Sequence, residues 1–315
     1  MSALGVVGGV VQPVLIVAGS PLLVGLMRQV RARMEGRAGA GVWQPWRDLR
    51  KLLRKESITP RGTSEVFRLA PLVLVATTVV VAIVAPFVTT DSALDPAADL
   101  FAVVALLALG AVALALAGLD TGTAFGGMGA SREMTILALV EPTLLVAIFA
   151  LSVRVGSTNL AAIVSSTLHE PARVISPVSL LAAVALIVVI IAETGRLPVD
   201  NPSTHLELTM VHEAMVLEYA GPDLALVELA SAMRLSVFLG LLANLFAPWG
   251  IATTATPPAL LIGVLALVVK VGVLGVLLAA GEVFVAKLRL FRVPELLAGS
   301  FVLALLAVAA SFFLA

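Results

Sequence analysis

Cysteine is absent from this 315-residue chain, and only 13% of its residues are charged. Without thiols the polypeptide can hold no iron–sulfur cluster by thiolates, no disulfide and no catalytic cysteine. Any redox centre in its neighbourhood must therefore sit on another polypeptide. Nucleotide-binding and metal-ligand motifs are missing as well. The stretch HEAMVLE offers His212 and Glu213 but lacks the second histidine four residues on that a helical zinc motif requires. Lys and Arg number 20, as do Asp and Glu, so net charge points to no class of partner and no nucleic acid is expected.

What is present is apolar sequence. Hydrophobic residues make up 60% of the chain, in runs of about 20 residues, the length that crosses ~30 Å of hydrocarbon. The expected fold class is therefore all-α, a polytopic integral membrane protein with residues 1–315 as a single membrane domain. Eight spans are expected: Ala3 to Met27, Leu69 to Val88, Leu100 to Leu119, Met134 to Val153, Ser176 to Ala192, Leu224 to Phe246, Pro258 to Ala280 and Leu296 to Ala315. The first has no basic residues ahead of it and no cleavage site, so it reads as a retained helix and not a signal peptide.

Residues 28–68 hold eleven of the 20 Lys and Arg residues, which marks this loop as cytoplasmic. Alternating the spans from there places sixteen basic residues on the cytoplasmic side and leaves Arg154 and Arg173 outside. Both termini are then expected on the exterior. Within the loop, Trp43, Trp46, Leu49, Leu52 and Leu53 recur at spacings of three and four, with Arg47, Arg50, Lys51, Arg54 and Lys55 on the other faces. That pattern predicts an amphipathic helix at the headgroup level, whose basic face suits anionic lipid or an acidic docked protein. Residues 157–168 are apolar but too short to span, and 91–99 read as a solvated acidic turn.

A second cytoplasmic loop, 193–223, gathers six carboxylates and two of the three histidines. Its segment HLELTMVHEAMVLEY predicts a helix with Glu207, Glu213 and Glu218 in overlapping turns. Inside the spans lie Glu141, Glu228, Arg234 and Lys270. Each costs ~2.5 to 3.5 kcal/mol on insertion scales and persists only when paired, hydrated or used. Two readings are open. Glu228 with Lys270, or Glu141 with Arg234, pair between helices and fix packing; or the carboxylates take and release protons along a hydrated route.

Three motifs in order carry a resemblance: RARMEGRAGAGVWQPWRDLRKLLRKE in the first loop, GLDTGTAFGGMGASRE with VEP at 140–142, and AETGRLPVD followed by EYAG. The chain resembles the membrane subunit 1 family of respiratory complex I. It is closer still to the corresponding subunit of formate hydrogenlyase and related group 4 membrane-bound nickel–iron hydrogenases. The resemblance implies an eight-helix subunit where a membrane arm meets a soluble redox arm. Its partners would be cluster-bearing soluble subunits at the cytoplasmic face and antiporter-like membrane subunits in a bacterial or archaeal plasma membrane. The chain itself would bind no cofactor; iron–sulfur clusters and a nickel–iron centre would sit on partners, and whether a quinone binds is left open.

By position, Arg33, Glu35, Arg37, Gln44, Asp48 and Lys51 match the docking surface or chamber floor, beside Trp46 of the amphipathic helix. Glu193, Arg196, Pro198, Asp200, Glu207, Glu218 and Tyr219 match the second loop. The set expected to couple redox events to proton movement is Glu141, Glu193, Asp200, Glu207, Glu218, Glu228, Arg234 and Lys270, with Arg196 in the docking or chamber group. Val199, Ser203 and His205 replace residues typical of complex I, which favours the hydrogenase-like branch. The competing expectations are a quinone-chamber subunit and a passive anchor; a secondary transporter lacks support, since no inverted repeat is visible.

Overall fold

The computed structural model describes residues 3–91, 94–200, 210–254, 256–286, 288 and 292–313. Among them, seven helices are long and apolar enough to cross a membrane: α1 (Ala3–Met34), α3 (Glu65–Val84), α4 (Leu100–Asp120), α5 (Ala124–Val155), α9 (Gly221–Phe246), α10 (Pro257–Phe284) and α11 (Val293–Phe313). An eighth apolar helix, α7 (Pro177–Glu193), has 17 residues and is about 26 Å long at 1.5 Å per residue. The eight apolar runs thus all form helices. Short elements complete the chain: the amphipathic α2 (Gln44–Leu52), α6 (Leu160–His169) and α8 (His212–Val216).

Caps explain where several helices begin. Ser64 accepts from Val66 N, Asp99 from Phe101 N, Thr123 from Gly126 N, Asn159 from Ala162 N and Ser176 from Ser179 N, each satisfying an otherwise orphaned donor. Thr123 also corrects a boundary. The expected fourth span began at Met134, but α5 begins ten residues earlier, because the glycines of GGMGAS pack a helix and do not open a loop. A Cβ on Gly129 would lie 2.9 Å from both Ala214 Cβ and Val211 O. The basic loop is shorter than 28–68 for a similar reason: Arg28, Arg31 and Arg33 belong to the last turns of α1, and Arg68 to the first turn of α3.

Helix α9 is the centre of the bundle, with 67% of its apolar window buried against 22% for α10. It packs on α1, α3, α7 and α10, while α11 closes against α5 and α7. Where α3 ends, its carbonyls find side chains. Gln12 Nε2 donates to Ile83 O (2.9 Å) and Ala85 O (2.7 Å), and Asn244 Nδ2 donates to Pro86 O and Phe87 O, both at 2.8 Å. In hydrocarbon such carbonyls have no water to turn to, so these amides hold a helix end that would otherwise be costly. The loops rich in Arg and Lys gather at the opposite end of the bundle, the basic side.

Candidate functional site

On the basic side, α1, α2, α8 and α9, the 194–200 loop and the end of α10 enclose a cavity of about 810 Å³. Its walls carry both signs of charge, with Arg28, Arg31 and Arg196 facing Asp200, Glu228 and Glu282, over apolar patches from Met27, Leu49, Val227 and Leu235.

An alternating ionic chain forms one rim. Arg37 donates to Glu35, Glu35 Oε1 lies 2.9 Å from Arg31 Nε, Arg31 Nη1 lies 3.9 Å from Glu282 Oε2, and Glu282 Oε1 lies 3.5 Å from Arg196 Nη1. The chain ties the end of α1 to the end of α10 and to the second loop. Hydrogen bonds from Arg31 and Arg37 hold the Glu35 carboxyl below the usual glutamate range. Burial pulls the Arg196 guanidinium down, opposed by Glu282. Glu282 is a site residue that sequence reasoning missed. Its signal was present: no other acid stands between Glu228 and Glu282.

Deeper in, Asp200 is buried and accepts the backbone N–H of His212 at 3.3 Å. The His212 ring meets Ser231 Oγ of α9 at 3.3 Å, and burial lowers its pKa. Tyr219 stacks on Phe67 with ring centroids 4.1 Å apart and donates to Phe67 O at 2.8 Å; burial raises its pKa. This anchor seats the second loop against α3.

The long acidic helix expected in that loop is not what its described part forms. Helix begins only at His212 and ends at Val216, with Glu218 half-buried in the turn that follows. Met210 and Val211 are buried ahead of it, Val211 has φ −118° and ψ −81°, and Met210 O accepts from Arg132 Nη1 at 2.7 Å. Burying that backbone against α5 takes precedence over helical continuation. Glu207 and His205 lie outside the described residues.

Behind the loop, Arg234 of α9 pairs with Glu193 at the end of α7, their side chains 8% and 4% exposed, and donates to Leu107 O of α4 at 2.9 Å. Neither of the helix-to-helix pairs that the sequence suggested is formed: Arg234 takes Glu193 and not Glu141, and Lys270 donates to Asn244 Oδ1 at 3.1 Å and not to Glu228. Gly110 makes room for the guanidinium, since a Cβ there would lie 3.0 Å from Arg234 Nη1 and 2.8 Å from Thr77 Oγ1.

Two further carboxylates lie within electrostatic reach of this pair. Glu141 lies within range of the charges of Glu193 and Arg234, and its Oε1 is buried with no hydrogen-bond partner among the described residues. It sits in the middle of α5, not one turn in, because that helix starts early. Glu133, two turns before it, feels Glu193, Arg234 and Asp200. Glu228 stands apart at the cavity wall, near Arg28 and Asp48.

The residues expected at the docking surface divide. Gln44 Nε2 donates to Asp48 Oδ1 at 2.9 Å, Trp46 Nε1 donates to Ala18 O at 3.2 Å, and Arg33 and Lys51 are exposed. Lys270 is not part of the acidic cluster: its partner Asn244 lies ten residues beyond Arg234, about 15 Å along α9.

A family model described as NADH dehydrogenase matches residues 7–314. "Hydrogenase-4 component C" of Escherichia coli (strain K12) is 35% identical over 303 residues, covering 96% of this chain and 94% of the relative. "Formate hydrogenlyase subunit 4" of the same organism is 35% identical over 297 residues, covering 94% and 95%. "NADH-quinone oxidoreductase subunit 8" of Rhodothermus marinus is 29% identical over 213 residues, covering 66% and 61%. Among solved structures, a chain of the membrane-bound sulfane sulfur reductase, an archaeal respiratory membrane complex, has the same fold, with a TM-score of 0.83 at 21% identity over 98% of this chain and 99% of that one.

Proposed function

Because the chain belongs to the NADH dehydrogenase family, the membrane subunit 1 family of complex I-like assemblies, we propose that it anchors the soluble arm of a group 4 hydrogenase or formate hydrogenlyase-type complex and couples electron transfer there to proton or sodium movement. In this reading it lies in the plasma membrane with its basic side and the 28–68 loop toward the cytoplasm and both termini outside. Partner subunits carry the iron–sulfur clusters and the nickel–iron centre; antiporter-like subunits lie beside it in the bilayer.

The observation that supports coupling is a group of acids beside the cavity: Glu193 pairs with Arg234, Glu133 and Glu141 lie within electrostatic reach of both, and Asp200, within reach of Glu133, lines the cavity that opens where a soluble arm would dock. A charge arriving above the cavity shifts the proton occupancy of acids in low dielectric, and those acids reach from the second loop into the middle of α5. The intact complex in sealed vesicles is therefore expected to move ions as it turns over, in a ratio fixed by electrons transferred. Full electron transfer with no ion movement would leave only the anchor.

The cavity itself favours one second reading, a quinone chamber. Its volume lies within the range of ~300 to 1,000 Å³ typical of small-molecule sites. Reduction of an added quinone by the complex, blocked by chamber-filling inhibitors, would decide for it.

Orientation has its own test, since a chain free of native cysteine accepts single reporters. Cysteine placed at exposed Arg61 is expected to react with an impermeant reagent only after cells are opened, and one at exposed Glu170 to react in intact cells. The reverse pattern would invert the topology.

A further inference from the structure

The outer face of α2 carries a groove that the coupling account does not use. Its volume is about 540 Å³, and it is lined by Trp43, Trp46, Arg47, Leu49, Arg50 and Leu53. Trp43 and Leu53 are 63% and 57% exposed, and both arginines are exposed. Among the described residues no carboxylate lines it: Asp48, the one acid of α2, is not among its walls and accepts from Gln44 Nε2. Indole and leucine walls beside two exposed guanidiniums form a surface that is both apolar and cationic.

Its depth selects the occupant. Helix α1 is 32 residues long, about 48 Å, while the hydrocarbon takes up roughly 30 Å. The surplus lies at the basic end, because Arg28, Arg31 and Arg33 cannot reside in hydrocarbon. A Cβ on Gly25, within one turn of Arg28, would lie 3.1 Å from Pro45 Cδ at the start of α2, and from that level the indole of Trp46 reaches down α1 to Ala18 O at 3.2 Å. Helix α2 consequently lies along the bilayer boundary and not out in the aqueous phase where a soluble partner docks. At that level a phosphodiester monoanion meets the planar donors of arginine, and acyl chains meet tryptophan and leucine.

We propose that the α2 groove is a binding site for an anionic phospholipid, with Arg47 and Arg50 on the phosphate and Trp43, Trp46 and Leu53 against the acyl chains. Leu49 lines both this groove and the large cavity, so the lipid braces the helix that forms the cavity's membrane-side wall. The proposal goes beyond proton coupling and does not depend on it.

The test uses the intact complex in nanodiscs containing a photoactivatable phosphatidylglycerol, with the crosslinked peptides mapped by mass spectrometry. Crosslinks are expected within residues 43–54, displaced at least fivefold better by phosphatidylglycerol than by phosphatidylcholine. The double variant R47Q/R50Q should lose at least fivefold of this labelling, and R47K/R50K should retain most of it. Should R47Q/R50Q fail to assemble, the lipid competition on the unmodified complex still decides. Equal displacement by the two lipids, labelling outside 43–54, or loss of a partner subunit from R47Q/R50Q with lipid labelling unchanged would each overturn the proposal.

Discussion

Replacing Glu141 with glutamine is expected to uncouple the complex: ions moved per electron fall at least about tenfold, equivalent to about 1.4 kcal/mol in a transfer barrier, while the complex still assembles. Glutamine keeps the size and one oxygen of the side chain and removes the proton site. Glu141 Oε1 has no described hydrogen-bond partner to lose, so the structural cost is confined to the unmatched donors of the new amide, about 1 to 3 kcal/mol. Electron transfer in deliberately leaky vesicles should persist. Glu228→Gln and Glu207→Gln test the same route at the cavity wall and in the second loop, and three variants that all move ions at the unmodified ratio would place the route elsewhere.

Arg234→Met should have the larger effect on the folded complex itself. Its partner Glu193 is 4% exposed and would be left as an uncompensated buried carboxylate. Breaking such a pair costs about 3 to 5 kcal/mol, a large share of the ~5 to 15 kcal/mol that keeps a protein folded. The yield of intact complex in mild detergent and its thermal midpoint should both drop sharply. Adding Glu193→Gln to Arg234→Met removes the stranded charge and should recover most of the loss, a coupling that the double-mutant cycle measures. Arg234→Met complexes as stable as the unmodified ones would show that the pair does not hold the site together.

Much of this architecture could be read directly from the sequence. Hydropathy located the eight apolar helices because a bilayer requires long unbroken runs, and the three-and-four spacing of Trp43, Trp46, Leu49 and Leu53 located α2 because only one face of an interfacial helix is apolar. What could not be read was partnership across the bundle. Arg234 joins Glu193, 41 residues away, through the crossing of α7 and α9, whereas the sequence offered it Glu141 because both lie inside apolar spans. Glu133 was passed over because GGMGAS reads as a loop; the glycines are there for the close approach of α8 and its lead-in, and that contact turns the stretch into the first turns of α5. Glu282 fell just past the last residue of an apolar run and so looked like the start of a loop, although it is 6% exposed and bonded to two elements. The extended acidic helix failed at Met210 and Val211, where the need to bury backbone against α5 overrode local helical preference.

The most direct test of proton storage in this cluster is redox-triggered infrared difference spectroscopy on the intact complex, read in the carboxyl C=O region. A band from a carboxyl group that gains or loses a proton with turnover is expected in the unmodified complex and should vanish in Glu141→Gln. If no such band appears, or if it survives unchanged in the Gln variants of Glu133, Glu141 and Glu193 alike, the buried acids do not carry protons and the account is contradicted.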